Sequence, residues 1–262
     1  MKTRLDAELV RRGLARSREI ASDLIEDRLV LIAGIPATKA ATQVDAETSI
    51  TLKVQGDKYV SRGGFKLNGA LNHFSALDVK DKVVLDAGAS TGGFTDVLLR
   101  RGAKLIYAVD VGYGQLAWEI QSNPKVKVLD RLNIRNISLQ LIDQPVDLIV
   151  ADLSFISLKL VLPALKSVSK PDTDYLLMVK PQFEVGKERL GEGGVVRESG
   201  LRKTAVLDVA SAAFSIGLGC LGVVASQLPG PSGNVEYFLW LKENAPALLE
   251  VDLDNAISQG PQ

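Results

Sequence analysis

The feature that most limits the possible folds is a series of short apolar patterns that alternate with helical patterns from about residue 80 onward. Strands are predicted at residues 82–88, 104–110, 126–129, 146–152, 175–180, 221–227 and 235–242. Strands that alternate with helices form a mostly parallel sheet covered on both faces. The last two strands follow one another without an intervening helix, which predicts an antiparallel edge. The sequence therefore predicts an α/β fold of the Rossmann-like kind with seven strands.

The first 57 residues have a different pattern, short, polar and rich in arginine. Apolar residues at helical spacing predict a first helix that Gly13 ends, and Ser17 is a plausible N-cap for a second helix to about Asp27. Strands are predicted at 29–32 and 49–54, with a turn at 33–36. The pattern indicates a small helix–turn–helix–strand unit, whose core would be marginal by itself at this length.

Composition excludes several classes of protein. Hydrophobic residues make up 46% and charged residues 24%, as in ordinary globular proteins, and lysine plus arginine balance aspartate plus glutamate at 31 each. The single cysteine, Cys220, and the single histidine, His73, cannot form a disulfide or a His/Cys metal site. No apolar run approaches the length of a membrane span, and the first residues lack the apolar core of a signal peptide. We expect a cytoplasmic protein without a metal.

The glycine-rich turn of the sequence DAGASTGGFTD, residues 86–96, leaves a predicted strand and enters a predicted helix. Such a turn brings backbone N–H groups to a ligand. The fit to a dinucleotide motif is poor because Ser90 replaces a glycine, and no lysine follows as a P-loop requires. A hydrolase elbow needs a later histidine, whereas His73 precedes the turn. S-adenosylmethionine remains, with Asp110 placed to bind the ribose hydroxyls, and a turn without a ligand is the plain alternative.

Polar residues end several predicted strands. Asp152 and Lys180 each terminate an apolar run, and Glu236 lies beside the last strand. In open α/β sheets, ligands bind beyond the carboxyl ends of the strands. Each residue alone would be read as a solvated strand end, but with Lys66 they make two lysines and two carboxylates.

The chain resembles the TlyA/hemolysin A family of ribosomal RNA 2′-O-methyltransferases. The segments that carry the resemblance are DAELVRRGLARSREIA, YVSRGGFKL, DAGASTGGFTDVLL, VDVGYGQL, ADLSFISL, VKPQFEVGK and GNVEYF. The resemblance implies an S4-like RNA-binding domain at 1–57, a linker at 58–67, a class I methyltransferase domain at 68–244 and an acidic flexible tail at 245–262.

The resemblance also assigns a Lys-Asp-Lys-Glu tetrad to Lys66, Asp152, Lys180 and Glu236. Methyl transfer to a ribose hydroxyl needs its proton removed or its developing charge stabilised. We assign this task to Lys180, with Glu236 orienting Lys180, Lys66 positioning the ribose and Asp152 near the cationic methyl donor.

Two further groups of residues follow from the resemblance. The expected cofactor contacts are Gly88, Ala89, Ser90, Gly92, Gly93, Phe94, Asp110 and Asn133. The expected RNA contacts are Arg4, Arg11, Arg12, Arg16, Arg18 and Arg62. Backbone contacts to structured RNA are mostly electrostatic, although a solvated helix face is the plain alternative for these arginines. The loop 186–194 is read as a mobile lid that closes on the substrate, with an ordinary surface loop as the plain alternative.

These expectations define a methyltransferase that modifies cytidine in ribosomal RNA, 23S and possibly 16S, and that releases S-adenosylhomocysteine. Its partners are ribosomal RNA or ribosomal subunits, and a monomer is favoured. One alternative is an RNA- or ribosome-binding factor without catalysis, which the intact tetrad disfavours. The other is a membrane-active hemolysin, which the lack of a spanning segment disfavours.

Overall fold

The computed structural model describes residues 2–15, 17–45, 47–52 and 59–261. The chain divides into two compact units, residues 1–58 and 59–262. Each unit has its own hydrophobic core.

The described residues of the first unit form two short helices and five short strands. They are β1 (Thr3–Arg4), α1 (Leu5–Arg11), α2 (Arg18–Glu26), β2 (Val30–Ile32), β3 (Ile35–Pro36), β4 (Gln43–Val44) and β5 (Ile50–Leu52). Strand β2 pairs with both β3 and β5, and β1 pairs with β4, all antiparallel. The Ser17 hydroxyl accepts a hydrogen bond from Ile20 N at 3.2 Å, so the predicted N-cap of α2 is confirmed.

The second unit is built on one seven-stranded sheet. Its helices are α3 (Arg62–His73), α4 (Gly93–Arg100), α5 (Trp118–Gln121), α6 (Leu162–Ser167), α7 (Pro181–Glu184), α8 (Ser199–Ser215) and α9 (Glu250–Gln259). Its strands are β6 (Val83–Ala87), β7 (Leu105–Val109), β8 (Val126–Leu129), β9 (Val146–Ala151), β10 (Ser169–Val179), β11 (Leu218–Ala225) and β12 (Tyr237–Glu243). The strand order is β11-β12-β10-β9-β6-β7-β8, and β12 runs antiparallel to both of its neighbours. The predicted parallel sheet with an antiparallel edge is confirmed.

Helices cover both faces of this sheet. On one face, Leu67 of α3 and Val97 of α4 pack against Val84 and Met178 of the strands. On the other face, the core includes residues of α6, α8 and α9. Side chains alternate along a strand, so a central strand that is buried on both faces is mostly apolar. Strand β6 is buried along its whole length and has one polar residue, Asp86, and β10 is apolar and buried from Tyr175 to Val179.

The predicted linker at 58–67 is wrong from residue 62 onward, because helix α3 begins there. Paired glycines usually disfavour a helix, yet here tertiary packing outweighs that propensity. A Cβ atom on Gly64 would overlap the Tyr59 side chain and would lie 3.0 Å from Gly93 O. The two glycines let the first turn of α3 approach the start of α4.

The predicted flexible tail at 245–262 is also wrong. Helix α9 forms within it, and its Leu253 and Ala256 are buried in the core against β11. The acidic residues of the segment lie on the other side of a helix that has one apolar face, so a count of charges alone misses it.

Candidate active site

The glycine turn between β6 and α4 has a backbone shape that favours glycine at two positions. Gly88 has φ +87° and Gly92 has φ +98°, both in the left-handed region. A Cβ atom on Gly88 would lie 2.5 Å from Asp152 O. The turn therefore lies directly against the end of β9, where one predicted tetrad residue is located.

Asp110 closes the turn from the end of β7. Its Oδ2 accepts a hydrogen bond from Ser90 N at 2.9 Å, and its Oδ1 accepts one from Gly112 N at 2.7 Å. The sequence predicted ribose contacts for this carboxylate and missed these backbone contacts. Each oxygen keeps a second lone pair for a ligand. Asn133 lies near Asp110, because the preceding Leu132 N donates to Asp110 O. The Asn133 side chain accepts from Arg135 N and so caps the short 3-10 turn that follows.

Asp86 is a further acid of the site that the sequence reasoning did not assign. It is fully buried, its Oδ2 accepts from Thr95 Oγ1 at 2.6 Å, and its Oδ1 has no hydrogen-bond partner among the described residues. Burial raises the pKa of Asp86 to about 7, and the charges of Asp152 and Asp110 act in the same direction. The sequence offered one signal for this residue, because an acid inside an apolar strand next to a glycine turn indicates a functional group.

Lys66 and Glu236 form a buried ion pair. Lys66 Nζ lies 2.5 Å from Glu236 Oε2, and their side chains are only 7% and 2% exposed. Gly230 allows the carboxylate to fit, because a Cβ atom there would lie 2.8 Å from Glu236 Oε1.

Lys180 pairs with Asp152. The Lys180 ammonium lies 2.6 Å from Asp152 Oδ1 and donates to Ser154 Oγ at 2.9 Å. The ammonium is thereby held at the carboxyl ends of β9 and β10, which are parallel neighbours.

The two ion pairs lie next to one another. In the β10–β12 register Val179 faces Tyr237, so Lys180 and Glu236 follow at adjoining positions. A Cβ atom on Gly63, one helical turn before Lys66, would lie 3.5 Å from Asp152 Oδ2. The four predicted tetrad residues therefore come together at one edge of the sheet.

The predicted pairing within the tetrad needs a correction, because Glu236 binds Lys66 and not Lys180. Side chains alternate along a strand, and Phe238 of β12 packs in the core that α3 covers. Glu236, two residues earlier, points to the same face and meets α3. Lys180 instead finds its acid partner on the neighbouring strand β9.

Phe155 was also missed by the sequence reasoning. Its side chain is 91% exposed, and its backbone is left-handed, with φ +62°, which is rare and strained for a residue of this size. Its ring centroid lies 5.1 Å from that of Phe183, which follows Lys180 by three residues. An exposed aromatic ring thus stands beside the Lys180–Asp152 pair.

The loop predicted as a lid, residues 186–194, contains two short 3-10 turns. Its far end is held by the buried side chain of Asn234, which accepts from Val196 N at 2.9 Å and donates to Gly194 O at 3.1 Å. Its function as a lid stays a prediction.

In the first unit, two of the predicted RNA contacts surround Asp6. Arg4 and Arg18 approach this buried carboxylate at 3.0 and 2.8 Å. The guanidinium of Arg4, with that of Arg18, holds the pKa of Asp6 well below its usual range. Both arginines remain about half exposed, so their outer faces can still meet a ligand.

Arg11 and Arg12 approach the buried Glu8 in the same way, at 2.6 and 2.7 Å. Arg11 is 61% exposed, whereas Arg12 is 20% exposed and also donates to Thr48 O at 2.8 Å. Arg12 is therefore first a structural residue of its own unit. Arg16 lies outside the described residues.

Arg62 belongs to the second unit, at the start of α3. It donates to Pro229 O at 3.3 Å, in the loop between β11 and β12.

Within the described parts of the chain, no helix is both long enough and apolar enough to cross a membrane.

Comparisons with known proteins agree with this geometry. The FtsJ-like methyltransferase family matches residues 59–243, and the S4 domain matches residues 3–50. The chain is 53% identical to the 16S/23S rRNA (cytidine-2′-O)-methyltransferase TlyA of Mycobacterium tuberculosis over 99% of both chains. It is 41% identical to YqxC of Bacillus subtilis, described as a candidate rRNA methyltransferase, over 92% of this chain and 85% of that protein.

A solved structure described as a candidate hemolysin from Streptococcus thermophilus superposes with a TM-score of 0.80. It shares 36% identity, over 98% of this chain and 95% of that chain. Together with the full-length similarity to TlyA, these matches show that the chain belongs to the FtsJ-like methyltransferase family.

Proposed function

We propose that this protein transfers a methyl group from S-adenosylmethionine to the 2′-hydroxyl of cytidine in ribosomal RNA. The observation that carries the proposal is the convergence of Lys66, Asp152, Lys180 and Glu236 beside the glycine turn. The 53% identity to a relative named for this reaction supports the choice of acceptor.

The residues around the turn fit such a cofactor. When bound, the cofactor supplies a methyl group on a positively charged sulfur. Gly88 and Gly92 shape the backbone, and the lone pairs of Asp110 are free to accept from the ribose hydroxyls. The carboxylate of Asp152 supplies negative charge near a cationic donor, and the unpartnered Oδ1 of Asp86 is a further polar atom at the turn.

Lys180 acts on the acceptor hydroxyl. Its side-chain nitrogen is held by Asp152 and Ser154 at the strand ends. As the neutral amine it would take the proton of the hydroxyl, and as the ammonium it would stabilise the developing charge on oxygen. Alignment of the two reacting groups contributes much of the rate in reactions of this kind.

Lys66 positions the ribose and offsets charge, and Glu236 holds Lys66. A buried lysine without an acid partner would lose its charge or its place. The 2.5 Å pair therefore keeps a fixed positive charge beside Lys180.

The first unit would bind the RNA through the exposed parts of Arg4, Arg11 and Arg18. The match to the S4 domain supports this assignment. By similarity to the TlyA relative, the substrate is 23S and also 16S ribosomal RNA, and an enzyme of ribosomal RNA works in the cytoplasm.

The catalytic test compares Lys180→Ala with Lys170→Ala. Lys170 lies at the opposite end of the same strand and pairs with Asp147 at 2.6 Å, the same distance as the Lys180–Asp152 pair. With tritiated cofactor and ribosomal RNA, we expect transfer by Lys170→Ala and none by Lys180→Ala, although both bind the cofactor. Activity in Lys180→Ala would remove this lysine from the mechanism.

The RNA-binding test compares Arg18→Glu with Arg28→Glu. Both change the same charge, and the two positions lie at opposite ends of α2, with Arg18 as its first residue and Arg28 two residues beyond its last. We expect Arg18→Glu to weaken RNA binding more than Arg28→Glu and to spare cofactor binding. Equal RNA affinities would contradict the proposed surface.

A further inference from the structure

A carboxylate outside the tetrad joins the two loops that hold Asp152 and Lys180. Glu184, at the end of α7, accepts from Ser157 Oγ at 2.5 Å through Oε2 and from Leu158 N at 2.8 Å through Oε1. Ser157 and Leu158 belong to the loop after β9, which begins with Asp152. Glu184 belongs to the segment after β10, which begins with Lys180.

These two segments, residues 152–158 and 180–184, touch along their length, and we call them the strand-end clamp. Lys180 contacts Asp152 and Ser154, and the rings of Phe155 and Phe183 meet at 5.1 Å. At the far end, Glu184 forms the last contacts through two hydrogen bonds. Of these contacts, those of Glu184 lie farthest along the chain from the lysine.

The chain between Lys180 and Glu184 is short and stiff. Pro181 is the first residue of α7, where its fixed φ suits a helix, and Phe183 N donates to Lys180 O at 2.9 Å. Val185 N donates to Pro181 O at 3.1 Å. A displacement of the Glu184 carboxylate would therefore be carried through one helical turn to Lys180.

We propose that Glu184 is a positioning residue that sets the alignment of Lys180 with Asp152 by holding the strand-end clamp closed. The inference rests on the proposed function, because the alignment matters only if Lys180 acts on the acceptor. Glu184 touches neither the reacting groups nor the tetrad, so its effect passes through the clamp.

The chain offers variants that separate positioning from stability. Glu184→Gln can still accept from Leu158 N, and its amide group can donate to Ser157 Oγ, so both links survive. Burial raises the pKa of the Glu184 carboxyl, and glutamine keeps the size and shape of the side chain. Glu184→Ala loses both links.

Asp174→Ala is the matched control. Like Glu184, Asp174 is a carboxylate with more than one donor, and it is the more buried of the two; it accepts from Lys82 Nζ at 2.9 Å and from Trp240 Nε1 at 3.0 Å. It begins the well-paired part of β10, at the opposite end of the sheet from Lys180. Its loss should lower stability and leave the clamp intact.

The experiment measures methyl transfer and cofactor binding at a temperature where each variant is folded. We expect Glu184→Ala to lower kcat by about 100-fold, the cost of a misplacement near 1 Å, with the KM and Kd for S-adenosylmethionine unchanged. Glu184→Gln should recover most of that loss, and Asp174→Ala should keep kcat while lowering Tm.

A wild-type kcat in folded Glu184→Ala would overturn the inference, and so would an equal loss of kcat in Asp174→Ala. If Glu184→Ala does not fold, Ser157→Ala decides, because it breaks one of the two links. A lowered kcat at unchanged KM then supports the inference, and an unchanged kcat overturns it. Failure of the proposed function is distinct, because the wild type would then transfer no methyl group, or Lys180→Ala would be as active as the wild type.

Discussion

The buried pair of Lys66 and Glu236 allows stability and catalysis to be separated in one set of variants. With side chains 7% and 2% exposed, neither group can recover water when its partner is removed. Glu236→Leu leaves Lys66 buried without an acid partner, and Lys66→Met leaves Glu236 buried without a basic partner. Breaking a buried pair in this way costs about 3–5 kcal/mol.

For a chain of this size, that loss corresponds to a fall in Tm of about 6–20 °C. The double variant Lys66→Met/Glu236→Leu removes both charges and fills the space with apolar groups, a change that is often neutral or stabilising. We therefore expect the double variant to unfold at or above the wild-type midpoint.

The assay combines urea unfolding of the cofactor-free protein with methyl transfer to ribosomal RNA. All three variants should be inactive, although the double variant is as stable as the wild type. Wild-type stability in both single variants would refute the reasoning about the buried pair. Methyl transfer by the double variant would refute the catalytic assignment.

Three further predictions concern other parts of the site. Gly88→Ala should destabilise the fold by about 1–3 kcal/mol and abolish cofactor binding, because its Cβ would meet Asp152 O. Gly69→Ala is the control and should have neither effect, because its Cβ would point into open space. Equal melting curves for the two variants would contradict this prediction. The pKa of Asp86 in the folded protein is raised to about 7, so the stability that this group contributes is present below about pH 4 and is lost as pH rises to about 7. Asp86→Asn should remove this pH dependence of the free energy of unfolding, measured by urea titration at several pH values. An unchanged dependence on pH in the variant would contradict this prediction. Phe155→Ala should leave Tm unchanged and raise the KM for RNA, since stacking of a base on an aromatic ring contributes about 1–3 kcal/mol. Leu160 is also exposed, and Leu160→Ala should change neither Tm nor KM. Equal KM values for the two variants would contradict a stacking contact at Phe155.

Local patterns were enough to predict the sheet and the glycine turn. The apolar runs that became β7, β9 and the second half of β10 are each followed by a polar residue, and parallel topology then brings those ends to one edge. Asp152 and Lys180 could be placed near the turn for this reason before their contacts were known.

Side-chain partners could not be predicted in the same way. Whether Glu236 meets Lys66 or Lys180 depends on which face of β12 it occupies and on the position of α3, whose glycines suggested a linker. From the sequence, the arginines of the first unit were predicted to contact RNA, and their acid partners were not identified. Asp6 and Glu8 turned out to be buried beneath them, because helix α1 presents both acids to the guanidinium groups.

The most direct test of the central claim is to map ribose methyl groups on ribosomal RNA. Ribosomal subunits from cells that lack the protein are treated with the wild type, with Lys180→Ala or with Lys170→Ala, each with S-adenosylmethionine. We predict a new 2′-O-methyl group on cytidine with the wild type and with Lys170→Ala, and none with Lys180→Ala. A wild-type reaction without a ribose methyl group, or equal methylation by Lys180→Ala, would contradict the account.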